Sequence, residues 1–350
     1  MKAGIITFHD ANNYGAVLQA YALNSKMNEY CKTEIINYYN PNFHVNEKSK
    51  GLKRKLTKLI YGDAIKRKND EFSYFRKERL NIKNKFIKAK DLPKLNDKYD
   101  LFISGSDQIW NLKCSGGDDS YFLNFVKDKN KKNSYSASFG TNTPKLDEKH
   151  MNYIKDFNKI SVREKSGENY LKANNVKSIK TCDPVFLLEK EKWESMAKTN
   201  NARYILIYEV VNGVNMINFA KRLSKLTGLK ILVITSSNKP ILGIKTLRDI
   251  GPIKWLELMK NAEYIITNSF HGLAFSLIFN KQFFIELLSN SDSNTRMLEL
   301  LDEVKLKSRL LKYTEVDNIG KIQFNNVNKT ISDIREDSIR YIESLIEGEE

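Results

Sequence analysis

One feature constrains this chain more than any other. Short apolar runs of four or five residues alternate with longer amphipathic stretches. Gly4–Phe8, Glu34–Asn37, Leu101–Ser104, Ser134–Ser138, Lys159–Val162 and Ser178–Thr181 read as strands. A second series follows at Tyr204–Tyr208, Lys230–Ile234, Tyr264–Thr267 and Phe283–Glu286. Ala16–Tyr30, Glu148–Phe157, Glu164–Ala173, Val214–Leu226, Ile253–Lys260 and Gly272–Phe279 have helical spacing between them. Strands that alternate with helices predict parallel sheets of the α/β class. A charged segment over Leu187–Asn201 divides the two series. The 350 residues therefore predict two Rossmann-like domains facing a cleft, 1–187 and 188–330. Residues 331–350 carry an amphipathic helix, Ile331–Ile346, expected to pack back on the first domain.

The net charge is +16, and the segment from Lys48 to Lys94 holds +12 of it. Its apolar residues, Leu52, Leu56, Leu59, Ile60, Phe72, Phe75 and Leu80, recur at helical spacing. This predicts two basic amphipathic helices that break near Gly62-Asp63, inserted in the first domain. Lysines outnumber arginines 46 to 12, which argues against arginine-based phosphate reading. A solvated insertion and an arm for peripheral membrane contact both fit. Nucleic acid is not an expected partner, because no helix-turn-helix, finger or RNA-recognition signature occurs. Cys31, Cys114 and Cys182 lie far apart and form neither a disulfide framework nor a zinc motif. No apolar run approaches the ~20 residues of a membrane span. The run Met1–Phe8 meets His9 and Asp10 too early for a signal peptide. The expected location is cytoplasmic, with the inner face of the membrane open through the basic arm.

Ligands of open α/β sheets bind beyond the carboxyl ends of strands, so the strand-end segments are the candidate sites. After the first strand, Asn12, Asn13, Tyr14 and Gly15 lead into a helix; the asparagines either cap it or hold a hydroxyl-rich ligand. Ser104, Gly105 and Ser106 form a small-residue loop before Asp107, with Trp110 and Asn111 beyond. Asp107 is a candidate proton acceptor or helix cap, and Trp110 a candidate core residue. Arg163 stands at a strand end, where a guanidinium either clamps an anion or forms a structural ion pair with Glu164. Asp183-Pro184 reads as a turn device. The sharpest segment is Thr267-Asn268-Ser269-Phe270-His271-Gly272, where a strand runs into a polar loop and an apolar helix. Free helix-start amides beside a titratable imidazole suit an anion that exchanges a proton. His9 is a second candidate; His44 and His150 carry no partner signal. No GxSxG, Walker or HExxH motif occurs, and no metal-ligand cluster is visible.

Taken in order, these segments resemble the polysaccharide pyruvyl transferase family. The resemblance rests on Gly4–Phe8 with Asn12–Ala20, Ser104–Asn111, Ser134–Gly140, Ser161–Gly167 and Thr267–Gly272, over about residues 2 to 312. It implies a glycosyltransferase-B-like fold and transfer of the enolpyruvyl unit of phosphoenolpyruvate onto a sugar, giving a pyruvate ketal and phosphate. It links His271 and Arg163 to the donor and to catalysis. Many relatives carry arginine where Ser269 stands here, and Lys165 or Arg296 is the candidate replacement. No cofactor is called for; phosphoenolpyruvate is a co-substrate, and the acceptor is a glycan or lipid-linked saccharide. Two other classes fit parts of the sequence: a glycosyltransferase using a nucleotide sugar, and a non-enzymatic binder of anionic polymer through Lys48–Lys94.

Overall fold

A computed structural model of the chain describes residues 1–41, 52–82, 85–211, 213, 215–235, 237, 241–288, 294–313, 315 and 320–347, with the side chains of 52–60 and 313 excepted. His44, Val214 and residues 48–51 of the basic arm lie outside the described residues. The chain divides into two compact units. One holds Met1–Ser49, Arg76–Leu188 and Ser332–Glu350; the other holds Lys50–Phe75 and Glu189–Ile331.

In the first unit β1 (Lys2–Ile6), β2 (Lys32–Ile35), β3 (Leu101–Ser104) and β4 (Lys132–Ser134) form a parallel sheet of order β2-β1-β3-β4. β5 (Ser161–Val162) and β6 (Ile179–Lys180) pair in parallel, and isolated bridges from Asn133 to Lys159 and from Ala137 to Val162 join them to the β4 side. β3 is buried along its whole length, which explains its continuous apolar run. Helix α1 (Tyr14–Met27) is buried over most of its surface and packs against the 3₁₀ turn Pro184–Leu187. The further helices in chain order are α2 (Leu52–Arg79), most of which groups with the second unit, and α3 (Leu112–Ser115), α4 (Glu148–Lys155) and α5 (Lys165–Ala173) of the first. Trp110 centres the core, stacked on Phe122 and edge-on to Phe157.

In the second unit β7 (Tyr204–Glu209), β8 (Lys230–Thr235), β9 (Lys245–Leu247), β10 (Tyr264–Thr267) and β11 (Gln282–Ile285) make an all-parallel sheet of order β11-β10-β7-β8-β9. Its helices are α6 (Lys190–Glu194), α7 (Met216–Thr227), α8 (Pro252–Asn261), α9 (Phe270–Ile278) and α10 (Asn294–Glu303). Every residue of α9 is buried, as its apolar composition requires. The last helix, α11 (Phe324–Glu347), ends against the first unit's own strands. Tyr341 Oη donates to Ser134 O at 2.8 Å, Arg335 Nε to Phe186 O at 2.6 Å, and Cys182 N to Ser338 Oγ at 2.9 Å.

Several elements differ from the sequence expectation for identifiable reasons. β1 stops at Ile6, because the chain turns at Thr7, whose carbonyl accepts from His9 N at 2.9 Å. β4 stops at Ser134, because Ser136 takes a φ of 49°, outside the strand region. β9 and α10 were not expected. The basic arm is one helix from Leu52 to Arg79, with no break at Gly62-Asp63. Mid-helix glycine costs about 1 kcal/mol, and neighbouring contacts offset it. Arg248 stacks on the Tyr61 ring at 4.6 Å, and Arg67 pairs with Asp249 at 3.1 Å. Lys50–Phe75 thus groups with the second unit, whereas the sequence reading placed all of 48–94 in the first. Phe72 and Phe75 are buried and pack the C-terminal part of this helix, whereas Ile65 is exposed.

His9 ends β1 as a buried structural residue. Its ring nitrogens lie 3.1 Å from Thr7 O and 3.0 Å from Asn37 Oδ1. Burial outweighs those hydrogen bonds and pushes its pKa below the ordinary 6.5. The neutral ring therefore stabilises the fold above that value, and the contribution is lost as pH falls through the lowered pKa. Urea unfolding between about pH 7.5 and 5 should show stability falling toward acid, with a shallower slope for His9→Gln. Equal slopes would remove His9 as the cause. Ser338→Ala leaves the buried Cys182 N–H without its acceptor and should cost about 1–3 kcal/mol in the same assay; a loss near zero would show that the contact carries no weight.

Candidate active site

Each sheet reverses its strand order once. The reversal falls between β1 and β3 in the first unit and between β7 and β10 in the second. Loops part at such points and leave room for ligand chemistry. Both segments singled out in the first unit's opening half, and the His271 segment, start at these reversals.

In the first unit, Thr7 ties the two loops together. Its hydroxyl donates to Ser106 O at 2.9 Å and accepts from Gln19 Nε2 at 2.9 Å. Much of the small-residue signal proves to be packing. A Cβ on Gly105 would stand 3.0 Å from Thr7 Cβ, so this glycine admits β1, and not a ligand. Ser104 Oγ donates to Tyr121 O at 2.6 Å. Asn13 caps α1 by accepting from Ala16 N at 3.1 Å, and Asn12 Oδ1 accepts from Arg76 Nη1 at 2.9 Å. Tyr14 and Gly15 are buried in the first turn of α1. Asn111 caps α3 and donates to Gln108 Oε1 at 2.9 Å. Ser106 Oγ is buried with no hydrogen-bond partner among the described residues.

The strand ends of β3, β5 and β6 converge on a buried ion cluster. Arg163, 5% exposed, pairs with Asp183 through Nη1, with Glu164 at 3.4 Å and with Asp107 at 3.7 Å. Burial works against the guanidinium charge, and the carboxylates, Asp183 foremost, more than offset it, holding its pKa above the ordinary arginine value. One formal positive charge thus stands among three negative ones. Arg163 thus forms the ion pair with Glu164 that the sequence offered beside an anion clamp, and adds Asp183 and Asp107 to it. Asp107 is the most open of the three acids, with 14% side-chain exposure, and its φ of 69° lies in the left-handed region. It is held there by a parallel bridge to Ala137 and by Ser138 N donating to Asp107 O at 3.1 Å. Ser138 Oγ in turn donates to Glu164. Lys165 is exposed and pairs with Glu168 at 2.5 Å.

Ser138, Glu164 and Asp183 were not among the expected site residues. Asp183 stands two residues beyond the run Ser178–Thr181 and reads in the sequence as a turn device, which it is: it caps the 3₁₀ turn Pro184–Leu187. Its capping of the 3₁₀ turn, through Val185 N at 3.1 Å, accounts only for the other carboxylate oxygen. His150 also has partners: Asp147 at 2.7 Å and Asp119 at 3.1 Å.

In the second unit, Asn268 closes the reversal. Its Oδ1 accepts from Val210 N at 3.0 Å and its Nδ2 donates to Val211 O. Ser269 is the N-cap of α9, accepting from Gly272 N at 3.4 Å, and its own N–H donates to Thr267 Oγ1 at 3.1 Å. Gly272 is glycine because a Cβ would collide with Thr267 Oγ1. His271 sits in the first turn of α9, 7% exposed and edge-on to Phe270. Arg296 from α10 lies over the Phe270 ring at 5.6 Å. This assembles an imidazole, a guanidinium and a helix start within one unit. Among the described residues, no group of three or more His, Cys, Asp or Glu side chains is placed to hold a metal ion.

Comparison with known proteins places these features. A comparison with curated proteins gave no match. Among solved structures, a UDP-N-acetylglucosamine 2-epimerase matches with a TM-score of 0.51 at 10% identity, covering 98% of this chain and 94% of that one. The MnaA–UDP co-structure from S. aureus matches with a TM-score of 0.50 at 12% identity, covering 99% and 90%. At these identities the likeness is one of fold: two Rossmann-like α/β domains of the glycosyltransferase-B type. The sequence pattern described as Polysaccharide pyruvyl transferase matches residues 13–290, which include β3 and the whole second-unit reversal between β7 and β10. The chain is a transferase that belongs to the polysaccharide pyruvyl transferase family.

Proposed function

We propose that this transferase moves the enolpyruvyl unit of phosphoenolpyruvate onto a saccharide of a cell-surface or exopolysaccharide precursor, forming a cyclic pyruvate ketal and releasing phosphate. The observation that carries the reading is that His271 and Arg296 each stand against the Phe270 ring at the start of α9, in a chain of this family. Phosphoenolpyruvate carries about three negative charges near neutral pH and needs cations and helix-start amides. Arg296 supplies the charge that Ser269 lacks.

His271 donates a proton to the methylene carbon, which leaves C2 electrophilic. A saccharide hydroxyl attacks C2, and Asp107 takes its proton. A second hydroxyl then displaces phosphate from C2 and closes the ketal, its proton restoring His271 while the proton held by Asp107 leaves with the phosphate. Arg163 is a positioning residue here: with Asp183 and Glu164 it fixes the Asp107 carboxylate. A net negative cluster suits hydroxyl groups better than a phosphate. Asn12, Gly15 and Ser106 line the same strand-order reversal as Asp107 and belong to the acceptor side.

No helix among the described residues is long and apolar enough to cross a membrane. Work on lipid-linked precursors at the inner membrane face fits the basic α2, whose exposed Lys66, Arg67, Lys77 and Arg79 offer positive charge. The UDP held by the S. aureus neighbour keeps a nucleotide sugar as the competing donor.

Purified protein should release inorganic phosphate from phosphoenolpyruvate in the presence of acceptor glycan and release no nucleotide from nucleotide sugars. The opposite pattern replaces the donor. His271→Ala should lower phosphate release roughly 10²–10⁴-fold; retention of near-full turnover would sink the role given to His271.

A further inference from the structure

Asp107 and Gln108 stand side by side just beyond β3, at the first unit's strand-order reversal. Each has one polar atom anchored by the protein and one left over. Asp107 Oδ1 accepts from Gln108 N at 2.9 Å and faces Arg163 Nη2 at 3.7 Å. Asp107 Oδ2 has no hydrogen-bond or ion-pair partner among the described residues.

The orientation of the Gln108 amide follows from its neighbours. A backbone N–H only donates, so the Asn111 atom that meets Lys113 N at 3.1 Å is Oδ1. Asn111 therefore turns Nδ2 toward Gln108, and the Gln108 atom 2.9 Å away is Oε1. The Cys114 thiol meets the same oxygen at 3.6 Å. Gln108 Nε2, with two N–H groups, is left without a partner among the described residues, on a half-buried side chain. The side chain also lies against Gly140. That residue takes a φ of 66°, and a Cβ there would collide with Gln108 Oε1. Contacts lead from Gly140 back to Asp107. Gly140 N donates to Ser138 Oγ at 3.1 Å, Ser138 Oγ donates to Glu164, and Glu164 pairs with the Arg163 that faces Asp107. Gln108 and Asp107 thus border the same 138–140 segment.

A cyclic ketal takes two hydroxyls of one saccharide, and the two leftover atoms match them. A carboxylate oxygen accepts a hydroxyl proton, and an amide N–H donates to a hydroxyl oxygen. We propose that Gln108 selects the acceptor: Nε2 donates to the second hydroxyl of the saccharide whose first hydroxyl lies on Asp107 Oδ2. Donation to its oxygen leaves the second hydroxyl's own proton free to depart when the ketal closes. The acceptor is thereby a saccharide with two unsubstituted hydroxyls close enough to share one ketal carbon. A site that hydrogen-bonds a hydroxyl discriminates against the analogue lacking it. The proposal rests on the ketal reading above, with Asp107 as the proton acceptor.

The test is equilibrium binding of methyl glucoside, methyl galactoside and methyl mannoside to the full chain, read by calorimetry with no donor present. At least one should bind at ~10 mM or below, and its single-deoxy analogues are then compared. The analogue lacking the hydroxyl held by Gln108 should bind about three- to tenfold more weakly than the parent. Gln108→Leu should weaken the parent by the same factor and leave the affinity of that analogue unchanged, because the interaction is already gone. Parent affinity unchanged in Gln108→Leu, equal further losses for every deoxy analogue in that variant, or no binding of the three glycosides would each overturn the proposal. If Gln108→Leu does not fold, Gln108→Glu takes its place, since it keeps an oxygen toward Asn111 and removes the N–H groups. Phosphate release is followed in parallel. Gln108-dependent binding in a protein that releases no phosphate from phosphoenolpyruvate would break the donor assignment alone and leave the acceptor site standing.

Discussion

The first unit depends on one buried cation. Arg163 draws Asp183, Glu164 and Asp107 together from the ends of three strands. None of these charges is tolerable alone in the interior, and breaking a buried ion pair by removing one partner typically costs about 3–5 kcal/mol. The cluster therefore fixes the strand ends relative to one another. Asp107 gains most from this. It is held in a left-handed backbone conformation, by contacts from the 136–140 segment on one side and a guanidinium on the other. A carboxylate positioned so firmly is suited to accept a proton at a defined point.

The second unit solves a different problem with the same topology. Its strand-order reversal is closed by Asn268 and continued by the all-buried helix α9, whose first turn carries His271. Here the added charge is positive, from Arg296 over Phe270. One unit thus presents a net negative cluster and the other a cation beside a helix start.

The sequence revealed the α/β class well, because strands buried on both faces read as plain apolar runs. It was less informative about where strands stop, since those ends are set by tertiary contacts: the Thr7 turn, the left-handed Ser136 and the Ser106–Thr7 hydrogen bond. The edge strand Lys245–Leu247 was missed because it is short and only half buried. The site was legible as places, not as roles. Gly105 and Gly272 signal close approach, but the approaching group is Thr7 in one case and Thr267 in the other. Local sequence cannot say which neighbour fills the space. Asp183 was read only as a turn device because its partner Arg163 lies 20 residues away, and Arg296 was reached only through the resemblance, because stacking on Phe270 leaves no motif.

The account makes the donor a ligand of the second unit and the Arg163 cluster a device for the acceptor hydroxyl. Phosphoenolpyruvate binding to Arg296→Ala and Asp183→Asn, measured by calorimetry with no acceptor present, tests this most directly. The account predicts weaker binding, by about tenfold or more, in Arg296→Ala and unchanged binding in Asp183→Asn. Loss of binding in Asp183→Asn with Arg296→Ala unaffected would contradict it and return the donor to Arg163.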